Sequence, residues 1–143
     1  MSVAMSRKMV RDALVTAVTP ALTVAQVVAG YQKANVQGQW PAVLIFTSGS
    51  LRPQVTEQGI RSEFHYIAQL WVLYYKEGYW TEAEAEDTLD ALEQQLAEWL
   101  ANNQVGELWT SLAFNGRSRV SIVPNSGEPY LVEEIPIMAE VYQ

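Results

Sequence analysis

Glu63 to Lys76 reads EFHYIAQLWVLYYK, and its alternation sets the architecture. In an extended chain successive side chains point to opposite faces. Tyr66, Ala68, Leu70, Val72 and Tyr74 therefore share one side, and Ile67, Trp71, Leu73 and Tyr75 share the other with His65 and Gln69. Both sides are largely apolar, which predicts a central strand with helices over one face and a second subunit as a candidate cover for the other. The stretch is longer than an ordinary strand, so a projection beyond the sheet is expected.

Immediately upstream lies a polar arm, Gly49 to Ser62, holding Arg52, Pro53, Glu57, Gly59 and Arg61. Its proline and glycines predict an irregular loop projecting at about residues 48–62, and long ordered loops of this kind often contact partners. Before it, Ala42 to Thr47 (AVLIFT) is a short apolar run closed by Ser48-Gly49-Ser50 and reads as a buried strand. Gly30 to Gln39 is polar and reads as a loop into Trp40-Pro41, and Thr23 to Val28 as a short strand. The first helix is expected from Ser6 to Val18, where Val10, Ala13, Leu14, Ala17 and Val18 recur at helical spacing and Pro20 stops the run.

Downstream, Thr81-Glu82-Ala83-Glu84 has the form of a capping box. It opens a helix whose stripe is Ala85, Leu89, Leu92, Leu96, Trp99 and Leu100, ending before Gly106. Asn115-Gly116, between Leu108–Phe114 and Arg117–Val123, predicts a hairpin with a type I′ turn. Pro124 to Pro129 is a further turn, and Tyr130 to Tyr142 is the last strand. Pro136 cannot donate to a ladder, so it marks an edge or a bulge. Glu133 and Glu134 point to opposite faces, which sets one carboxylate awkwardly toward the helices unless a bulge near Pro136 intervenes. The expected fold is α+β, a mostly antiparallel sheet of four to five strands with two helices packed on one face, in a single domain spanning residues 1–143.

Composition narrows the chemistry. The 143 residues are 49% hydrophobic and 17% charged, which suits one folded domain. There is no Cys, which excludes disulfides, thiolate metal sites and cysteine nucleophiles, and one His, which excludes a multi-histidine metal centre. The formal charge of −7 argues against bulk phosphate-backbone binding, and no specific nucleic-acid binding is expected. No run is long enough to span a bilayer, and no signal-peptide pattern follows the basic N-terminus, so a cytoplasmic site of synthesis is expected. Seven bases against three acids through Lys76, and two against thirteen from Glu77 onward, give +4 and −11. Two readings follow: faces of opposite sign for stacking like subunits, or an acidic helix face that keeps the chain in solution.

Candidate catalytic, cofactor and metal residues are none. His65 has no nucleophile or orienting partner and reads as structural. The acids from Glu82 to Asp90 lack a calcium-loop pattern and read as a solvated helix face. Thr47-Ser48-Gly49-Ser50 has neither the glycine spacing nor the Lys of a phosphate loop. Trp40, Trp80 and Trp109 sit at element edges, where either a partner surface or local packing accounts for them.

The order of parts resembles one known group: an N-terminal helix, the Trp40-Pro41-Ala42-Val43-Leu44-Ile45 entry, the arm, the long strand, the capped helix, and the closing Ile135-Pro136-Ile137-Met138-Ala139-Glu140-Val141-Tyr142. It is similar over nearly the full chain to the phage tail terminator proteins, the minor tail protein U-like family, and their tail-completion relatives. The resemblance implies a structural virion protein and not an enzyme. Such a subunit forms a homo-hexameric ring at the head-proximal end of the tail. The ring stops tail tube polymerisation and offers the head-docking surface. Implied partners are further copies of itself, the tail tube protein and a head-completion or neck protein. DNA passes through the ring, and no membrane or cofactor is involved. Location would be the virion, with assembly in the host cytoplasm. Trp40, Arg52, Arg61, Trp80 and Trp109 are the candidate subunit or tube contacts. Alternatives are a head-closure or neck connector, a small-molecule-binding α+β domain, or a dimeric adaptor using the edge of the last strand.

Overall fold

A helix, α1 (Arg7–Val18), opens the fold, with the Ser6 side chain accepting a hydrogen bond from the Lys8 amide. Val10, Leu14 and Val18, one per turn, are fully buried. A short 3-10 turn at Thr19–Ala21 carries Pro20 and ends the helix. There follow β1 (Gln26–Ala29), β2 (Ala42–Thr56), β3 (Gly59–Leu73), α2 (Glu82–Asn102), β4 (Ser111–Phe114), β5 (Arg119–Asn125) and β6 (Glu128–Tyr142). The computed structural model describes residues 6–30, 40–56 and 59–142; most of the expected loop Gly30 to Gln39 lies outside the described residues.

The six strands form one sheet in the order β1-β2-β3-β6, with β4 and β5 both on the far side of β6. Only the β1–β2 pair is parallel. Both helices lie on one face. Val10, Leu14 and Val18 of α1 and Ala85, Leu89, Leu92, Leu96 and Leu100 of α2 share a core with Val43, Ile45, Phe64, Tyr66, Leu70, Ile135 and Ile137. Each fully buried aliphatic side chain contributes about 1.5–3 kcal/mol against the entropy of ordering it. The opposite face is apolar at one end only, where Ala42, Leu44, Trp71, Leu73, Tyr130 and Val132 pack with Trp40 and Trp80. Toward the other end it carries His65, Glu63, Arg61 and Glu140, all partly exposed.

The α+β class, the central strand and the helical face agree with the sequence reading. Four local features differ. Among the described residues the sheet has six strands and not four to five, and the first of them runs Gln26–Ala29 instead of Thr23–Val28. The polar arm is not an irregular loop. β2 runs on to Thr56 and β3 begins at Gly59, so the arm is a β-hairpin. Its glycine and proline are absorbed by register shifts, one between Thr47 and Gly49 and one between Leu51 and Gln54, which flanks Pro53. The predicted hairpin at Asn115-Gly116 does not form. β4 and β5 do not pair with each other; both pair with β6, one after the other along the same side.

Pro136 explains that break. Its carbonyl accepts from the Asn115 amide at 2.9 Å. In an antiparallel ladder a residue's N–H and C=O face the same neighbour, so the donor that proline lacks is missing toward β4 and β5. Phe114 pairs with Ile137 and Arg119 with Glu134, leaving four residues opposite two. The bulge is where the sequence placed it, although β6 is an interior strand.

Candidate assembly surfaces

The arm leaves the sheet beyond the pairing of Arg61 with Tyr142, the last residue of β6. Past that point Val55 pairs with Ile60 and Thr56 with Gly59, with neither β1 nor β6 paired beside them. Val55 is 83% exposed, and Leu51 and Ile60 are exposed as well. The Arg52 guanidinium lies 5.0 Å from the centre of the Phe64 ring, a cation–π contact at the root of the arm. Arg61 is ion-paired with Glu140 and, at 3.3 Å, with Glu63. From α1, Arg7 donates to the Ser50 hydroxyl at 3.2 Å, and its carbonyl accepts from the Tyr66 hydroxyl at 2.8 Å. Burial raises the Tyr66 pKa above its ordinary value, so that hydroxyl stays protonated as the donor.

A second surface lies at the opposite end of the strands. Trp40 and Trp80 meet edge to face with centroids 4.7 Å apart, and the exposed Tyr79 ring is 6.3 Å from Trp40. Lys76 closes this corner, ion-paired with Glu128 at 3.2 Å and lying over Tyr79. The structure thus brings Trp40 together with Trp80. At the other end Arg52 and Arg61 share the root of the arm but lie on opposite faces of it, Arg52 over Phe64 and Arg61 with Glu63 and Glu140. Trp109 joins neither. It is only 6% exposed, its indole N–H donates to the Asn103 carbonyl at 3.0 Å, and its ring sits 6.5 Å from Trp99. Trp109 is an interior residue holding the end of α2, and local packing accounts for it.

A third surface went unread in the sequence. β5 is an edge strand, and Val120 and Ile122 project from it on the helix side, 52% and 55% exposed. They are paired with Glu133 and Leu131 of β6, but α2 stops short of covering them. Glu133 itself is buried, and its carboxylate accepts from the Ser118 hydroxyl at 2.7 Å. Loss of solvent raises its pKa, the Ser118 bond opposes this, and the nearby acids Glu93 and Asp90 add to the rise. A trough at β5 is lined by Arg117, Ser118, Arg119 and Val120, with Glu133 and the α2 acids Asp90 and Glu93 beside it. The V-x-I alternation of Val120 and Ile122 is the signal the sequence carries for this surface, whereas the expected Asn115-Gly116 hairpin would pair this strand with β4 instead of leaving it at the edge beside β6.

Helix α2 carries seven acids and no base, with the Thr81 hydroxyl accepting from the Glu84 amide at 3.2 Å. Acids in its first turn suit the helix dipole. Among the described residues no group of three or more His, Asp or Glu is placed to hold a metal ion. No described helix is long and apolar enough to cross a membrane. His65 faces the open side of the sheet, its Nδ1 3.5 Å from the Asn115 side-chain amide.

No protein-family model matches the chain, and no curated protein matches it. Among solved structures, it is similar to a chain of the virion of a native gene transfer agent (GTA) particle, with 14% sequence identity and a TM-score of 0.45 over 96% of this chain and 90% of that one.

Proposed function

We propose that this chain is a non-enzymatic virion subunit, a tail terminator that assembles into a ring at the head-proximal end of a phage tail. There it halts polymerisation of the tail tube and presents the surface that receives the head. The observation that carries the reading is the arm: a β-hairpin that leaves its own sheet with Val55 and Ile60 side by side and exposed. Exposed apolar side chains on a projecting strand pair favour a partner that covers them. The β5 strand, at the edge of the described sheet, and the aromatic corner at Trp40 and Trp80 supply further surfaces on the same small subunit. The resemblance in the order of parts gives those surfaces their proposed partners: copies of the chain, the tube protein and a neck protein.

Electron microscopy of the purified protein with tail tubes of the same phage tests this. Rings at one tube end, and overlong tubes when the gene is deleted, are the expected results. Tubes of normal length in the deletion, with no density from this chain at the tube end, would overturn the reading.

A further inference from the structure

The arm and the β5 trough lie at diagonally opposed corners of the subunit. The arm extends past the Tyr142 end of β6, whereas β5 pairs with the Glu128–Glu134 end on the outer side of the sheet. They cannot meet within one chain. We infer that the arm of one copy docks in the trough of the next, lying along β5 with Val55 and Ile60 against Val120 and Ile122.

Three observations support this occupant. The four side chains are all β-branched aliphatics standing exposed on strands, the type that packs well across neighbouring strands. β5 has β6 on one side and no described strand on the other, so Val120 to Ile122 stand at a sheet edge to which a strand can be added. The arm's free portion has two residue pairs past Arg61, Val55–Ile60 and Thr56–Gly59, roughly 7 Å at about 3.3 Å per residue, enough to lie along Val120 to Ile122.

Charge sets the direction. On its helix side the root of the arm is basic, with Arg52 over Phe64 and Arg7 of α1 reaching Ser50, while Arg61 on the other face is paired with Glu63 and Glu140. The helix side of the trough carries Glu133, Asp90 and Glu93, with Arg117 and Arg119 at its Ser118 end. The basic side of the root against these acids is attractive. Pairing two β5 edges with each other would instead bring two helices of seven acids each toward one another, which is repulsive. A contact between two different patches propagates head to tail and closes as a ring when the rotation permits. The proposal rests on the ring reading above and names the joint from which the ring is built.

The natural absence of Cys makes the test direct. Val55→Cys or Ile60→Cys chains are mixed with differently tagged Val120→Cys or Ile122→Cys chains, oxidised, and resolved by mass, beside light scattering of the unmodified protein. Expected are a closed oligomer for the unmodified protein, mixed disulfides in at least one arm–trough combination, and a ladder reaching ring size for the double variant on one chain. Ile122→Asp, at an exposed position, is expected to abolish the oligomer while the monomer keeps its circular dichroism and melting temperature. A closed oligomer without any mixed disulfide, or with β5–β5 disulfides dominant, overturns the joint and leaves the ring reading standing. Monomers at every concentration, with and without tail tubes, overturn the ring reading and the joint together.

Discussion

Ser118, in the break between two edge strands, donates a 2.7 Å hydrogen bond to the buried carboxylate of Glu133 in the interior strand β6. The bulge forced by Pro136 thus supplies the donor that makes an acid beneath the helical layer tolerable. The residue that interrupts the sheet edge and the residue that needs a partner are three positions apart.

Glu133→Gln tests the cost of that acid. Its folded-state pKa lies above the ordinary Glu value, chiefly through loss of solvent. The folded state therefore holds the proton more tightly than the unfolded state, and stability falls as pH rises from the unfolded toward the folded pKa. Gln keeps an acceptor for Ser118 without the charge. Thermal melts should show Glu133→Gln more stable at neutral pH, with the advantage shrinking as pH drops below the folded pKa. An equal gain at all pH values would contradict this.

Removing the donor should do the reverse. Ser118→Ala leaves a buried carboxylate without its described hydrogen bond, a loss of about 1–3 kcal/mol. It should also push the Glu133 pKa higher, since that bond opposes the rise. Denaturant melts at two pH values, with Ser118→Ala losing less at low pH, would report both effects.

Gly106→Ala should disturb the far end of α2. A methyl group there would sit 2.5 Å from Cε2 of Trp109, with two more indole atoms within 2.8 Å. The ring must move, and overpacking of this kind costs about 1–3 kcal/mol. Because Trp109 also holds the Asn103 carbonyl, a shift in tryptophan fluorescence should accompany the lower melting temperature.

Two changes in α2 separate capping from packing. Thr81→Ala removes the side-chain acceptor for the Glu84 amide and should cost about 0.5–2 kcal/mol. Leu96→Ala empties a fully buried position between helix and sheet and should cost about 2–5 kcal/mol. Urea titrations of both variants give the comparison, and the core change should be the larger.

What local order could reveal was legible along the chain. The alternation from Phe64 to Leu73 placed β3 at the centre, the heptad-like spacing from Ala85 to Leu100 placed one face of α2 on the core, and Thr81 marked the start of that helix. These signals are short-range, because side-chain period and capping depend on residues within one or two turns. Strand partners are a different matter. Asn115-Gly116 has the chemistry of a tight hairpin, yet β4 and β5 both chose β6, whose long apolar ladder offers each of them more pairing than they could offer one another. The same competition made a hairpin of the arm, since Ile60 and Arg61 could pair across to Val55 and Gln54 despite Pro53. It also buried Trp109 and exposed Val120 and Ile122. Which face of an element is covered depends on neighbours distant in sequence, so the identity of the surfaces left open was decided only when the sheet closed around β6.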